Sequence, residues 1–183
     1  MRYATQRLSA DLKTEVSIQH IGFSFFNRLN LEGTLIRDQK KDTLLYAGQV
    51  KLRITDWFFI KDKVELSYIG LEETKIRLNR KDSIWNYAFI ADFFGNSGSS
   101  SSNKNPAQFQ LRKIDIKQID FIQDDRWIGE RMVFRSRAIL MDAEDLQLKK
   151  NYFAIKSIQL DRPSFRFKIY PDFDLQDLIN CLF

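Results

Sequence analysis

The chain has 183 residues, enough for one ordinary domain or two small units sharing a core, and its 44% hydrophobic and 29% charged content excludes a disordered segment. The net charge of +5 is spread over basic residues such as Arg112 and Lys113, Arg135 and Arg137, and Lys149 and Lys150, each near acids, which reads as the solvated face of a sheet and gives no nucleic-acid patch. One cysteine, Cys181, excludes an intramolecular disulfide, while 16 Phe against 7 Gly and 3 Pro favour aromatic-rich strands.

In chain order, Arg2 to Glu15 reads as a short amphipathic helix with Leu8 and Leu12 on one face. Val16 to Phe25 follows as a strand whose apolar parity changes between Ile18 and Ile21, so a bulge is expected near Gln19 and His20. Asn27 and Arg28 turn the chain into Leu29 to Arg37, and the polar cluster Asp38 to Asp42 is a hairpin loop. From Leu44 to Ile54 strict alternation places Leu44, Tyr46, Gly48, Val50, Leu52 and Ile54 on one face of a long half-buried strand. The same alternation recurs at Val64, Leu66 and Tyr68, and, after a corner at Gly70 to Glu73, at Thr74, Ile76 and Leu78. It returns at Met132, Phe134, Ser136, Ala138 and Leu140, and at Phe165, Phe167 and Ile169. Ser83 to Phe94 reads as a short helical segment carrying Trp85, Tyr87, Phe89, Phe93 and Phe94.

Four segments follow: a first β-sheet unit with its N-terminal helix over 1–94, a Gly/Ser/Asn-rich flexible linker over 95–106, a second β-sheet unit continuing the sheet over 107–170, and a divergent tail over 171–183. The second unit echoes the first. Ile36 to Asp38 matches Ile122 to Asp124, Ile54-Thr55-Asp56 matches Leu140-Met141-Asp142 at the same offset, and Ile76-Arg77-Leu78 matches Phe165-Arg166-Phe167 slightly further on. The fold class is therefore mainly β. Apolar strand faces of this kind either close on each other as a sandwich core or stay open as a groove, and composition alone leaves both readings.

Chemistry-bearing residues are sparse. His20 has no second His or Cys near it, Asp124, Asp125 and Glu130 lack the oxygen spacing of a calcium loop, and no glycine-rich phosphate loop or paired-carboxylate frame is present. No catalytic residue, metal or cofactor is expected, and the chain is not read as an enzyme. Trp57-Phe58-Phe59 and Phe93-Phe94 suit buried corners between strands better than a membrane interface. No window approaches the roughly 20 apolar residues that a membrane-crossing helix needs, and the N-terminus lacks the order of a signal peptide. Met1 leads directly into helix-like spacing and the chain closes on an uncapped apolar run, so a piece of a longer protein is expected.

Several motifs carry a resemblance. Phe25-Phe26-Asn27-Arg28-Leu29, the run Asp38 to Gly48, Thr55-Asp56-Trp57, the run Leu78 to Tyr87, and Asp124 to Glu130 together resemble, in order and spacing, the N-terminal region of TamB-like proteins of the AsmA-like superfamily. The resemblance covers roughly residues 1 to 170. It implies long antiparallel strands forming a curled, groove-like half-pipe sheet in the periplasm of a diderm bacterium, anchored in the inner membrane through a helix that this chain lacks. It further implies transport of phospholipid between the inner and outer membranes, a role in outer-membrane protein assembly, and an outer-membrane barrel partner of the TamA type. The anchor and most of the β-rich body are missing from the sequence, and the family supplies no catalytic residues.

On that reading the groove lining is Tyr46, Val50, Leu52, Ile54, Val64, Leu66, Tyr68, Met132, Phe134 and Leu140, facing phospholipid acyl chains. One buried methylene contributes about 0.8 kcal/mol, so a sheltered chain of about 16 carbons gains on the order of 10 kcal/mol. About ten strands at about 4.8 Å each give a sheet of roughly 50 Å, one end of a conduit. The alternative is a closed β-sheet scaffold or protein-interaction module that binds no lipid and offers its strand edges to a partner.

Overall fold

A computed structural model describes residues 5–6, 9–10, 12–24, 28–54, 66–90, 111–147 and 152–170. The chain is mainly β, one open curled sheet of mixed strands. The strands are β1 (Val16–Ser17), β2 (His20–Ser24), β3 (Arg28–Arg37), β4 (Thr43–Ile54), β5 (Leu66–Arg80), β6 (Lys113–Asp125), β7 (Glu130–Gln147), β8 (Tyr152–Asp161) and β9 (Ser164–Ile169). Their spatial order is β1-β3-β4-β5-β6-β7-β8, with β2 also on β3 and β9 also on β7.

The expectation of antiparallel strands throughout is corrected at the centre, where β5 and β6 pair in parallel from Tyr68↔Lys113 to Arg80↔Asp125. A parallel pair needs a crossover of a dozen or more residues, and residues 81–112, which include the segment read as a linker between two units, supply it. The sheet therefore runs unbroken across the boundary between those units.

Continuity through these long strands depends on one register line. Gly33 (φ 58°), Glu73 (φ 53°) and Gln118 (φ 52°) have left-handed backbone, and Arg162 (φ 49°) has it between β8 and β9. The pairings put Gly33, Gly48, Glu73, Gln118 and Arg137 side by side across the sheet. At the two ends of the sheet the line breaks the strand outright, into β1 and β2 at Ile18–Gln19 and into β8 and β9 at Arg162–Pro163. Strands that run one way (β3, β5, β6 and β8 with β9) carry the positive-φ residue, and β4 and β7, which run the other way, carry none. A residue in this conformation kinks a strand as a bulge does, without dissolving the ladder on either side.

The line also explains why single-parity readings of the long strands fail. Apolar residues sit at Ile69 and Leu71 before Glu73 and at Ile76 and Leu78 after it; β6 changes from Ile114 and Ile116 to Ile119 and Phe121. In β4 the buried positions are Leu44, Ala47 and Val50, every third residue. The densest part of the core lies beside the line, in the cross-strand row Thr34–Ala47–Thr74–Ile119–Ser136, every member of which is at most 7% exposed.

Two buried aspartates hold the turns at one end. Asp38 Oδ1 accepts the amides of Lys40 and Asp42 at 2.9 Å each, shaping the turn into β4. Asp125 Oδ1 accepts those of Trp127 (3.2 Å) and Ile128 (3.4 Å) in the turn into β7. The structural partner of Asp38 is thus Asp125, one position beyond the Asp124 that the sequence match selects. The end of β5 lies between them: Asn86 Nδ2 donates to Asp38 Oδ2 at 3.1 Å, and Arg80 binds Asp125. The N-terminal segment packs on the same end. Thr5, Gln6, Ser9, Ala10 and Leu12 are helical, and Thr14 Oγ1 donates to the carbonyl of Arg37 at 2.9 Å. Within the expected helical segment 83–94, Ala88 to Ile90 are helical and Trp85 instead forms a β-bridge with Arg80. The tail 171–183, the whole of 95–106 and residues 91–94 of the expected helical segment lie outside the described residues.

Candidate functional site

Directly paired residues project to the same side of a sheet, so the pairings read as cross-strand rows. One row is Ile21–Leu31–Val50–Leu71–Ile116–Ile139–Leu160. The next on the same face is Phe23–Leu29–Leu52–Ile69–Ile114–Met141–Ile158. Both are apolar at every position over seven strands, about 29 Å at normal strand spacing. Beyond the kink line a third apolar row, Ile36–Leu45–Ile76–Phe121–Phe134–Phe165, crosses the sheet. At the β8–β9 end these rows stay open to solvent: Ile158, Leu160 and Phe165 are exposed, with the exposed Phe167 and Ile169 further along β9, as is Phe23 at the opposite end.

The reverse side of the first two rows is charged. There the row Glu32–Gln49–Glu72–Lys117 carries Glu72 Oε1 between Lys51 Nζ (2.7 Å) and Lys117 Nζ (3.3 Å). The bond from Lys51, reinforced by Lys117 and opposed by partial burial, holds the Glu72 carboxyl below its usual range. The Tyr68 hydroxyl is pushed up, first by burial and then by the neighbouring Asp115 carboxylate. Beyond the kink line, Asp120 is bonded by Arg77 and Arg135; burial opposes ionisation of its carboxyl, but the two guanidinium groups together prevail and its pKa is lowered.

The candidate lining residues divide among these surfaces. Val50 and Leu52 lie in the two apolar rows. Phe134 lies in the third, and Met132 in the row beyond it, facing Gln123 and Phe167. Tyr68 and Leu140 are on the charged side, paired with Arg53 and with Asp115. Tyr46 pairs with Lys75, whose ammonium lies 5.9 Å from its ring, and borders a shallow cavity of about 600 Å³ with Glu73, Gln118 and Asp120. Of Ile54 and Leu66 only the backbone pairing, one with the other, is described, and Val64 lies outside the described residues. Sequence reasoning missed Leu29, Leu31, Ile69, Leu71, Ile114, Ile116, Ile139 and Met141. The available signal was their shared alternation, which ends in strand after strand at one register position.

The remaining polar candidates are engaged structurally or lie apart. Asp125 is held by Arg80 and its turn, Asp124 accepts the Tyr170 hydroxyl at 2.7 Å, and His20 is exposed opposite Glu32. Among the described residues no three His, Cys, Asp or Glu side chains converge as metal ligands. A second cavity, of about 370 Å³, is bordered by Asp38, Trp85, Asn86 and Phe89. Compared with known proteins, the chain matches no family model and no curated relative.

Proposed function

We propose that this chain carries phospholipid acyl chains along the apolar side of its curled sheet, as a segment of a TamB-like envelope protein in transport between the inner and outer membranes and in outer-membrane protein assembly. The carrying observation is the pair of apolar rows that cross seven strands while the reverse side is charged. The third apolar row lies just beyond the kink line, where Glu73 and Gln118 have left-handed backbone, and on this reading it extends the first two rows as a groove. Acyl chains fit such a face because the gain is additive per methylene and needs no matched polar group. A periplasmic position, an inner-membrane anchor outside this chain and a TamA-type barrel partner belong to the same reading and rest on the sequence resemblance.

The test is native mass spectrometry and lipid extraction on the chain purified from a bacterial envelope, beside Val50→Glu and the solvent-facing Ile158→Glu. Phospholipid that co-purifies with the parent and is lost from both variants, with β-rich circular dichroism retained, is the expected result. A folded parent that carries no lipid refutes the reading.

A further inference from the structure

The outer edge of β8 and β9 repeats the edge of β5 that β6 covers. Ile158 and Leu160 share cross-strand rows with Ile69 and Leu71, and Phe165 and Phe167 with Ile76 and Leu78. Arg166 shares the row of Arg77, and Arg162 has the left-handed backbone of Glu73. In β5 this edge is filled by a parallel strand, and Arg77 bonds both the carbonyl and the carboxylate of Asp120 on that strand. In β8 and β9 the same side pairs with no described strand, Phe165 is 63% and Ile158 50% exposed, and Arg166 makes no ion pair among the described residues.

We propose that the β8–β9 edge binds an extended polypeptide strand in parallel, with the chemistry of β6. Such a strand places apolar residues beside Ile158 and Leu160, another beside Phe165, and a carboxylate within reach of Arg166. The parallel direction follows from the template, because the chain builds this contact once already between β5 and β6. Main-chain hydrogen bonds supply the affinity, and the alternate side chains and the Arg166 partner supply the selection. The proposal does not rest on lipid carriage, since the edge and the Arg166 guanidinium, which makes no ion pair among the described residues, are present with or without an occupant on the apolar face.

The experiment adds a fluorescein-labelled peptide of the chain's own Lys113–Asp125 segment to the full chain and follows anisotropy, with a nitroxide at either peptide end for amide NMR. Saturable binding is expected, with an N-terminal nitroxide broadening the amides around Ser157 and Ile158 and a C-terminal one those around Ile169. Arg166→Glu weakens binding about fivefold, in keeping with a partly exposed ion pair, and a peptide with Asp120→Lys recovers the loss on that variant. Arg166 is on the surface, so amide spectra verify that the fold is unchanged. Absence of saturable binding, equal binding of a scrambled peptide, the reverse nitroxide pattern, or occupation of this edge by a second copy in sedimentation overturns the proposal.

Discussion

Arg80 and Asp125 face each other across the parallel β5–β6 pair and share two hydrogen bonds, Nε to Oδ1 at 2.9 Å and an Nη to Oδ2 at 2.6 Å. The carboxylate is 1% exposed, and the guanidinium also lies 4.8 Å from the Trp85 ring. Neighbours in a parallel pair have no hairpin between them, so this contact, with the Asn86 bond to Asp38, fixes where the crossover returns. Removing one partner of a buried pair leaves the other charged and unpaired, at a cost of about 3–5 kcal/mol. Asp125→Ala is therefore expected to lower urea stability by that amount, and a loss below about 1 kcal/mol counts against the clamp.

The kink line predicts opposite outcomes for two substitutions. Gly33 has φ 58°, and a β-carbon there would lie 2.3 Å from Gln19 Cδ, so Gly33→Ala meets both backbone strain and a clash. About 2 kcal/mol of destabilisation is expected. Gln118 holds a similar φ as an exposed non-glycine residue, so Gln118→Gly relieves left-handed strain and stabilises by about 0.5–1 kcal/mol. Chemical denaturation of both variants checks the pair; destabilisation by Gln118→Gly removes the strain explanation.

Acid sensitivity follows from Glu72 and Asp120, whose carboxyls both titrate lower in the folded chain. A depressed folded pKa gives stability that is fully present above the unfolded value and is lost as pH falls through the folded one. With ordinary values of 4.5 and 3.8, the decline begins below about pH 5 and continues beneath both. Glu72→Gln and Asp120→Asn should each flatten the stability-against-pH curve in that window while lowering stability at pH 7. Unchanged acid slopes in urea titrations would remove these two ion-pair groups as the cause.

The alternation in β4 and the run of apolar residues in β7 announce long strands, and the Asp38 to Asp42 cluster announces its hairpin, because these depend on residue type within a short window. Three features lay beyond that window. Glu73, Gln118 and Arg162 adopt left-handed backbone without being glycine, so only Gly33 carried a compositional hint. The placement of Tyr68 and Leu140 on the charged side depends on where the parity shifts, which the register sets jointly across the sheet. Parallel pairing of β5 and β6 follows from the Arg80 and Asn86 contacts with residues 45 and 48 positions away, not from any turn motif.

Beside the kink line, Thr34 and Thr74 flank Ala47 in the most buried row, and neither Oγ1 has a hydrogen-bond partner among the described residues. A hydroxyl buried without a partner costs about 1–3 kcal/mol relative to one that is satisfied, and valine has nearly the same shape without that polar group. Thr74, with no exposure at all, is the sharper test. Thr74→Val should raise stability by about 1 kcal/mol in urea unfolding, whereas Thr74→Ser keeps the hydroxyl, removes the methyl and lowers stability. If valine is destabilising instead, the hydroxyl is satisfied in solution by a water at the kink, and the sheet is wetter there than its row of small side chains implies.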